Sequence, residues 1–171
     1  MFSKGDKIVY PLYGAGIIED IEEIENSEGV SQCYYVLHIP VGNLIIRIPA
    51  SKAAALGIRE IYPKDEILGI ISGVTGVEAN MPDNWNLRYK ENMDRIKSGK
   101  LDEVSLVFRS LRDRERERGL STAEKKMMTT AKQIIISEII LSHGLEKDAA
   151  ENILTDIFGN PLADQIAAKA V

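Results

Sequence analysis

The chain has 171 residues, 44% hydrophobic and 27% charged, with a net charge of −5, values that belong to a soluble globular protein of one or two domains. It has no apolar run of about 18 residues that would cross a membrane, Met1-Phe2-Ser3-Lys4-Gly5-Asp6 lacks the regions of a signal peptide, and Cys33 stands alone, so no internal disulfide forms. These features set the expectation of a cytoplasmic protein without a membrane partner.

The charge is unevenly spread. Residues 1–80 carry a net −5, residues 81–132 a net +4 and residues 133–171 a net −4. A basic zone on an acidic protein points to an anionic partner met locally. It argues against strong free-standing DNA binding, which rests on phosphate neutralisation.

In chain order, Asp6–Tyr10 leads through Pro11-Leu12-Tyr13-Gly14-Ala15-Gly16 into the β-branched run Ile17–Ile24. Asn26-Ser27-Glu28-Gly29 reads as a turn, Gln32–Ile39 as a second rich strand, Val41-Gly42-Asn43 as another turn and Leu44–Pro49 as a further strand. Short strands separated by Gly/Asn turns predict a small antiparallel, barrel-like sheet. Gly14 and Gly16 are expected at a bend or bulge. Leu44–Ile48 is the candidate for an exposed edge open to another protein's strand. Arg47 interrupts it, either as a partner contact or as a charge that discourages aggregation. Ser51–Gly57 reads as a helical turn, Ile58–Pro63 as a connector, Asp65–Ser72 as a short helix and 73–82 as a loop.

Asp83 or Asn84 caps a helix running to about Ser98, with Gly99 as its stop. Leu87, Met93 and Ile96, with Tyr89 alongside, mark its apolar face. Trp85, the sole tryptophan, sits in the first turn, near unsatisfied N–H groups. It is either a core ring between helices or a surface wedge among cations. The next helix, about Leu101–Arg118, buries Leu101, Val104, Phe108 and Leu111 and ends in a sign-alternating run that reads as a solvated face. Ser121-Thr122-Ala123-Glu124 is a capping box. It opens a helix whose Ile134-Ile135-Ile136 and Ile139-Ile140-Leu141 segments are apolar almost all round, hence buried. Lys147–Phe158 is one more amphipathic helix, and a short terminal helix is expected after Gly159-Asn160-Pro161.

The histidines, His38 and His143, stand in unrelated contexts, and Cys33 has no neighbouring His or second Cys. No zinc spacing, nucleophile elbow, phosphate loop or dinucleotide fingerprint is present. The reading is therefore a binding protein of two unlike parts, not an enzyme, with no cofactor or metal.

Gly5-Asp6-Lys7-Ile8-Val9-Tyr10-Pro11-Leu12-Tyr13-Gly14-Ala15-Gly16 and Ile46-Arg47-Ile48-Pro49 resemble the N-terminal motifs of the CarD/CdnL family of bacterial RNA polymerase-binding transcription regulators. Asn84-Trp85-Asn86-Leu87-Arg88-Tyr89-Lys90, Glu117-Arg118-Gly119-Leu120-Ser121 and Glu124-Lys125-Lys126-Met127 resemble its helical half. The resemblance implies an α+β fold: a Tudor-like antiparallel β domain over 1–62, then an all-α domain over 63–171. It implies that the first domain binds the polymerase β subunit through Arg47, Ile46, Ile48 and Pro49. It further implies that the second stabilises the promoter open complex, with Trp85, Arg88, Lys90, Lys125 and Lys126 at the upstream edge of the bubble and without base-specific readout. The acidic run Glu22-Glu23-Ile24-Glu25 departs from relatives that carry a basic residue there. The alternative is an adaptor on the polymerase that makes no DNA contact. A monomer is expected, its isoleucine-rich helix buried in its own core.

Overall fold

The computed structural model describes residues 1–159, so the expected terminal helix lies outside the described residues. The N-terminal half is one antiparallel sheet. Its strands are β1 (Lys7–Tyr10), β2 (Gly14–Glu25), β3 (Ser31–Ile39), β4 (Leu44–Pro49) and β5 (Arg59–Glu60), in the order β4-β3-β2-β1-β5. Alternation builds its core: Ile8, Ile18, Tyr35, Leu37, Ile39 and Ile48 turn inward against Ala53 and Ile58. The connector after Gly57 carries β5, whose two residues pair with Ile8 and Val9. A strand this short has no periodicity of its own to read.

Gly14 stands at the bend that closes the β1–β2 pairing, as expected, whereas Gly16 is at neither bend nor bulge: the irregularity in β2 falls between Ile18 and Asp20. Gly16 lies where β2 presses on β3: a Cβ there would stand 2.5 Å from the His38 carbonyl oxygen. Gly14 has φ +106°, and a Cβ there would meet Ser137 Oγ at 2.7 Å.

Five helices follow: α1 (Lys64–Gly73), α2 (Trp85–Lys97), α3 (Leu101–Glu117), α4 (Thr122–His143) and α5 (Lys147–Phe158). Their shared core is built around α4, whose Ile134, Ile135, Ile136 and Ile139 are buried among residues of α1, α3 and α5. The capping box is present in full: Ser121 accepts from the Glu124 N–H, and the Glu124 carboxylate accepts from the Ser121 N–H. Helix α2 packs Ile96, Tyr89 and Met93 on the core as expected, but Leu87 is 48% exposed, and Arg88 and Asn92 are buried in line with Ile96.

The two halves meet along α4. Ser137 Oγ accepts from the Ala15 N–H at 2.8 Å and donates to the Ile134 carbonyl at 2.6 Å. The fully buried Glu138 takes both arms of Arg59, at 2.8 and 2.9 Å, and also accepts from the Tyr62 N–H. Arg59 Nε donates to the Gly99 carbonyl, and its guanidinium lies 4.3 Å from the centre of the Tyr62 ring. Lys7 Nζ donates to the Leu141 carbonyl. Ser137 and Glu138 are thus polar residues inside an apolar helix because the β domain supplies their partners.

Candidate functional site

Asn84 starts α2 by accepting from the Leu87 N–H with its side chain, which places Trp85 at the first helical position. The indole is 41% exposed. It is not loose: Nε1–H donates to Ser121 Oγ at 3.1 Å, and the ring stacks on Tyr89, with centroids 5.2 Å apart and planes 21° apart. Tyr89 is four residues on, one helical turn above. A large ring is therefore held in one orientation with part of its surface in water.

Arg88 does not share that surface. It is 3% exposed, and its Nε donates to Glu124 Oε1 at 2.6 Å while Nη1 donates to the Pro82 and Asp83 carbonyls. The expectation of a DNA-facing Arg88 is corrected: a buried guanidinium must have acceptors on every side, and here those acceptors come from within the protein. Burial pushes the Glu124 carboxyl up. Hydrogen bonds from Arg88 and from the Ser121 N–H and hydroxyl, with the charge of Arg88, outweigh it and hold the group below the usual carboxylate range. Ser121 and Glu124 thus both cap α4 and anchor α2: Ser121 receives the indole N–H, Glu124 the guanidinium.

Lys125 and Lys126 are exposed near the start of α4. Lys126 borders a groove of about 440 Å³ with Tyr89, Met93 and Leu12, so it stands beside the ring pair. Lys90 is also exposed and pairs with Asp94 at 3.2 Å. It lies about 140° around α2 from Trp85. Tyr89, Ser121 and Glu124 hold Trp85 and Arg88 in place, a support that the motifs containing them do not assign. The four-residue spacing from Trp85 to Tyr89 was the available signal.

In the β domain, β4 is an edge strand and keeps a row of backbone groups free for another chain. Arg47 is exposed on it and grips Glu22 with two hydrogen bonds, 2.7 and 3.2 Å. This pairing raises the Arg47 pKa. Pro49 and Ile46 are half-buried, and Ile46 packs on the sheet core. Ile48 is 1% exposed, which removes it from any direct partner contact, because alternate residues of a strand face opposite ways. Ile45, 57% exposed, takes the outward position beside Arg47.

Among the described residues no group of three or more His, Cys, Asp or Glu side chains is arranged to hold a metal. No described helix is long and apolar enough to cross a membrane.

The site thus combines a sheet with an open edge strand and a helical half that presents an oriented tryptophan. The comparisons place it. The profile of the CarD-like/TRCF RID domain matches residues 2–62 and that of the CarD C-terminal domain matches residues 70–155. A protein of Bacillus subtilis (strain 168) named "Putative transcription factor YdeB" is 39% identical over 145 residues, covering 85% of this chain and 94% of that protein. The chain belongs to the CarD/CdnL family of transcription regulators, a class of polymerase-interacting factors and not of enzymes.

Proposed function

We propose that this chain docks on the RNA polymerase β subunit through the β4 edge and stabilises the promoter open complex by setting Trp85 at the upstream edge of the bubble. The observation that carries the reading is the state of the indole: exposed, yet oriented by Ser121 and Tyr89. Base–aromatic stacking contributes roughly 1–3 kcal/mol, and each 1.4 kcal/mol is about tenfold in an equilibrium. One preorganised ring thus shifts the closed–open balance without tight DNA binding. Lys125 and Lys126 supply phosphate contacts on the Trp85 side and Lys90 a separate one, while Arg88 acts through the position of α2. Docking on polymerase raises the local concentration of the ring, which reconciles a DNA contact with a net acidic chain acting in the bacterial cytoplasm as a monomer.

The test is open-complex lifetime with Trp85→Ala protein that folds and still binds polymerase. A shortening of about tenfold is expected, and an unchanged lifetime on several promoters overturns the wedge. Arg47→Glu should abolish capture of polymerase; retained capture removes Arg47 from the interface. The withdrawal of Arg88 into the protein favours a second reading, an adaptor without DNA contact. It predicts that Lys125→Glu leaves DNA crosslinking in the polymerase complex unaltered.

A further inference from the structure

The groove beside the indole has features that an oriented wedge does not require. Its volume of about 440 Å³ falls within the roughly 300–1,000 Å³ of ordinary ligand sites. Helices α2 and α4 form two of its sides, and Ile96, 1% exposed, closes its floor. Trp85, Tyr89 and Met93 follow one another on α2 at four-residue spacing, so they stand in one row along the helix. Tyr89 therefore belongs both to the stack with Trp85 and to the groove wall. The lining contains no carboxylate. Lys126 is its one charged side chain, exposed, with the exposed Lys125 next to it in the chain.

The remaining side is Leu12, and its backbone is strained. Tyr10–Tyr13 is a turn closed by a hydrogen bond from the Tyr13 N–H to the Tyr10 carbonyl at 3.0 Å. Pro11 stands second in this turn and Leu12 third, with φ +74°. A third position with positive φ is where glycine belongs, because the Cβ of any other residue crowds the following carbonyl there. The chain carries leucine instead, 36% exposed. Among the described residues it joins none of the hydrophobic cores, and it lines the groove. A strained leucine that packs into no core has its use in a contact outside the chain.

We infer that the groove takes an unpaired base of promoter DNA, the neighbour of the step met by Trp85, with its phosphate at Lys126. This rests on the proposed function and adds a second contact to it. A lysine without a competing carboxylate selects an anionic occupant, even on a chain of net charge −5. The ring of Tyr89, the polarizable thioether of Met93 and the Leu12 side chain suit the flat apolar faces of a base. Tyr89 lies one helical turn from Trp85, about 5.4 Å along the axis. Stacked bases rise only about 3.4 Å, so the spacing matches a strand that has already come unstacked and not one still in a duplex.

The experiment places 2-aminopurine at single unpaired positions near the upstream edge of an open complex formed by polymerase and the full chain. With wild type, fluorescence should fall about twofold or more at two neighbouring positions, one stacked on Trp85 and one held in the groove. Leu12→Gly removes a wall of the groove and relieves the positive φ, so this protein should unfold at an equal or higher urea concentration. It should free the groove position while the Trp85 position stays quenched. Thr130→Tyr, which fills the groove from α4, should do the same. Quenching at both positions that survives both variants overturns the inference and leaves the wedge standing. Quenching at the Trp85 position alone in wild type does the same. No quenching anywhere, together with Trp85→Ala complexes as long-lived as wild type, overturns the proposed function and the groove with it. Loss of polymerase capture by Thr130→Tyr assigns the groove to a protein partner and overturns the base.

Discussion

At the scale of the residue, the indole rests on a buried pair beneath the same cap. Arg88 and Glu124 are both nearly inaccessible and tie the start of α2 to the start of α4. Removing one partner of a buried ion pair costs about 3–5 kcal/mol, so Arg88→Met is expected to lower stability by that order in urea unfolding. Lysine does not replace Arg88, because a single ammonium cannot serve Glu124 and two carbonyls in a planar fork. The pH dependence has a definite sign. The folded-state pKa of Glu124 lies below its unfolded value, so its contribution is complete above the unfolded carboxylate range near 4.3 and is lost as pH falls through the folded value. Unfolding measured from neutral pH into that acidic window should show the loss in wild type and its absence in Glu124→Gln, already destabilised at pH 7. Little of this is visible in sequence. The capping box is legible because its bonds span three residues. The Arg88–Glu124 pair spans 36, and Arg88 within Asn84–Lys90 looks like any surface cation.

At the scale of the element, α4 reaches both halves. Its isoleucines mark a buried helix in sequence, but Ser137 and Glu138 within that run disclose nothing of their partners, since Ala15 and Arg59 lie 122 and 79 residues away. Ser137→Ala strands the Ala15 N–H and should cost about 1–3 kcal/mol. Glu138→Gln leaves Arg59 without its countercharge and should cost about 3 kcal/mol, the low end for a broken pair because Arg59 is partly exposed. If this joint aims the wedge, folded Glu138→Gln protein should still capture polymerase yet shorten open-complex lifetime. An unchanged lifetime would make the joint structural only. On α2 the apolar pattern predicts the burial of Ile96, Met93 and Tyr89 but not of Arg88, which Glu124 draws inward while Leu87 stays in water. The strands were legible from alternation and turns, whereas β5 exists only through its pairing with β1.

At the scale of the whole molecule, the overall charge of −5 limits the proposed DNA contact. With at most the three lysines engaged, the slope of log affinity against log salt for a bubble duplex should be no steeper than about −3, at roughly 0.9 per phosphate, and Lys125→Glu should reduce it by about 1. The joint along α4 has a further consequence. Sheet and indole are tied through buried hydrogen bonds and a bidentate ion pair, not through a slack tether, so their separation is a fixed length. Under the proposed docking and wedge, such a molecule works as a ruler: it would sort promoters by the distance and bend between the docked polymerase surface and the first unpaired step, and base identity would enter only where it changes that geometry.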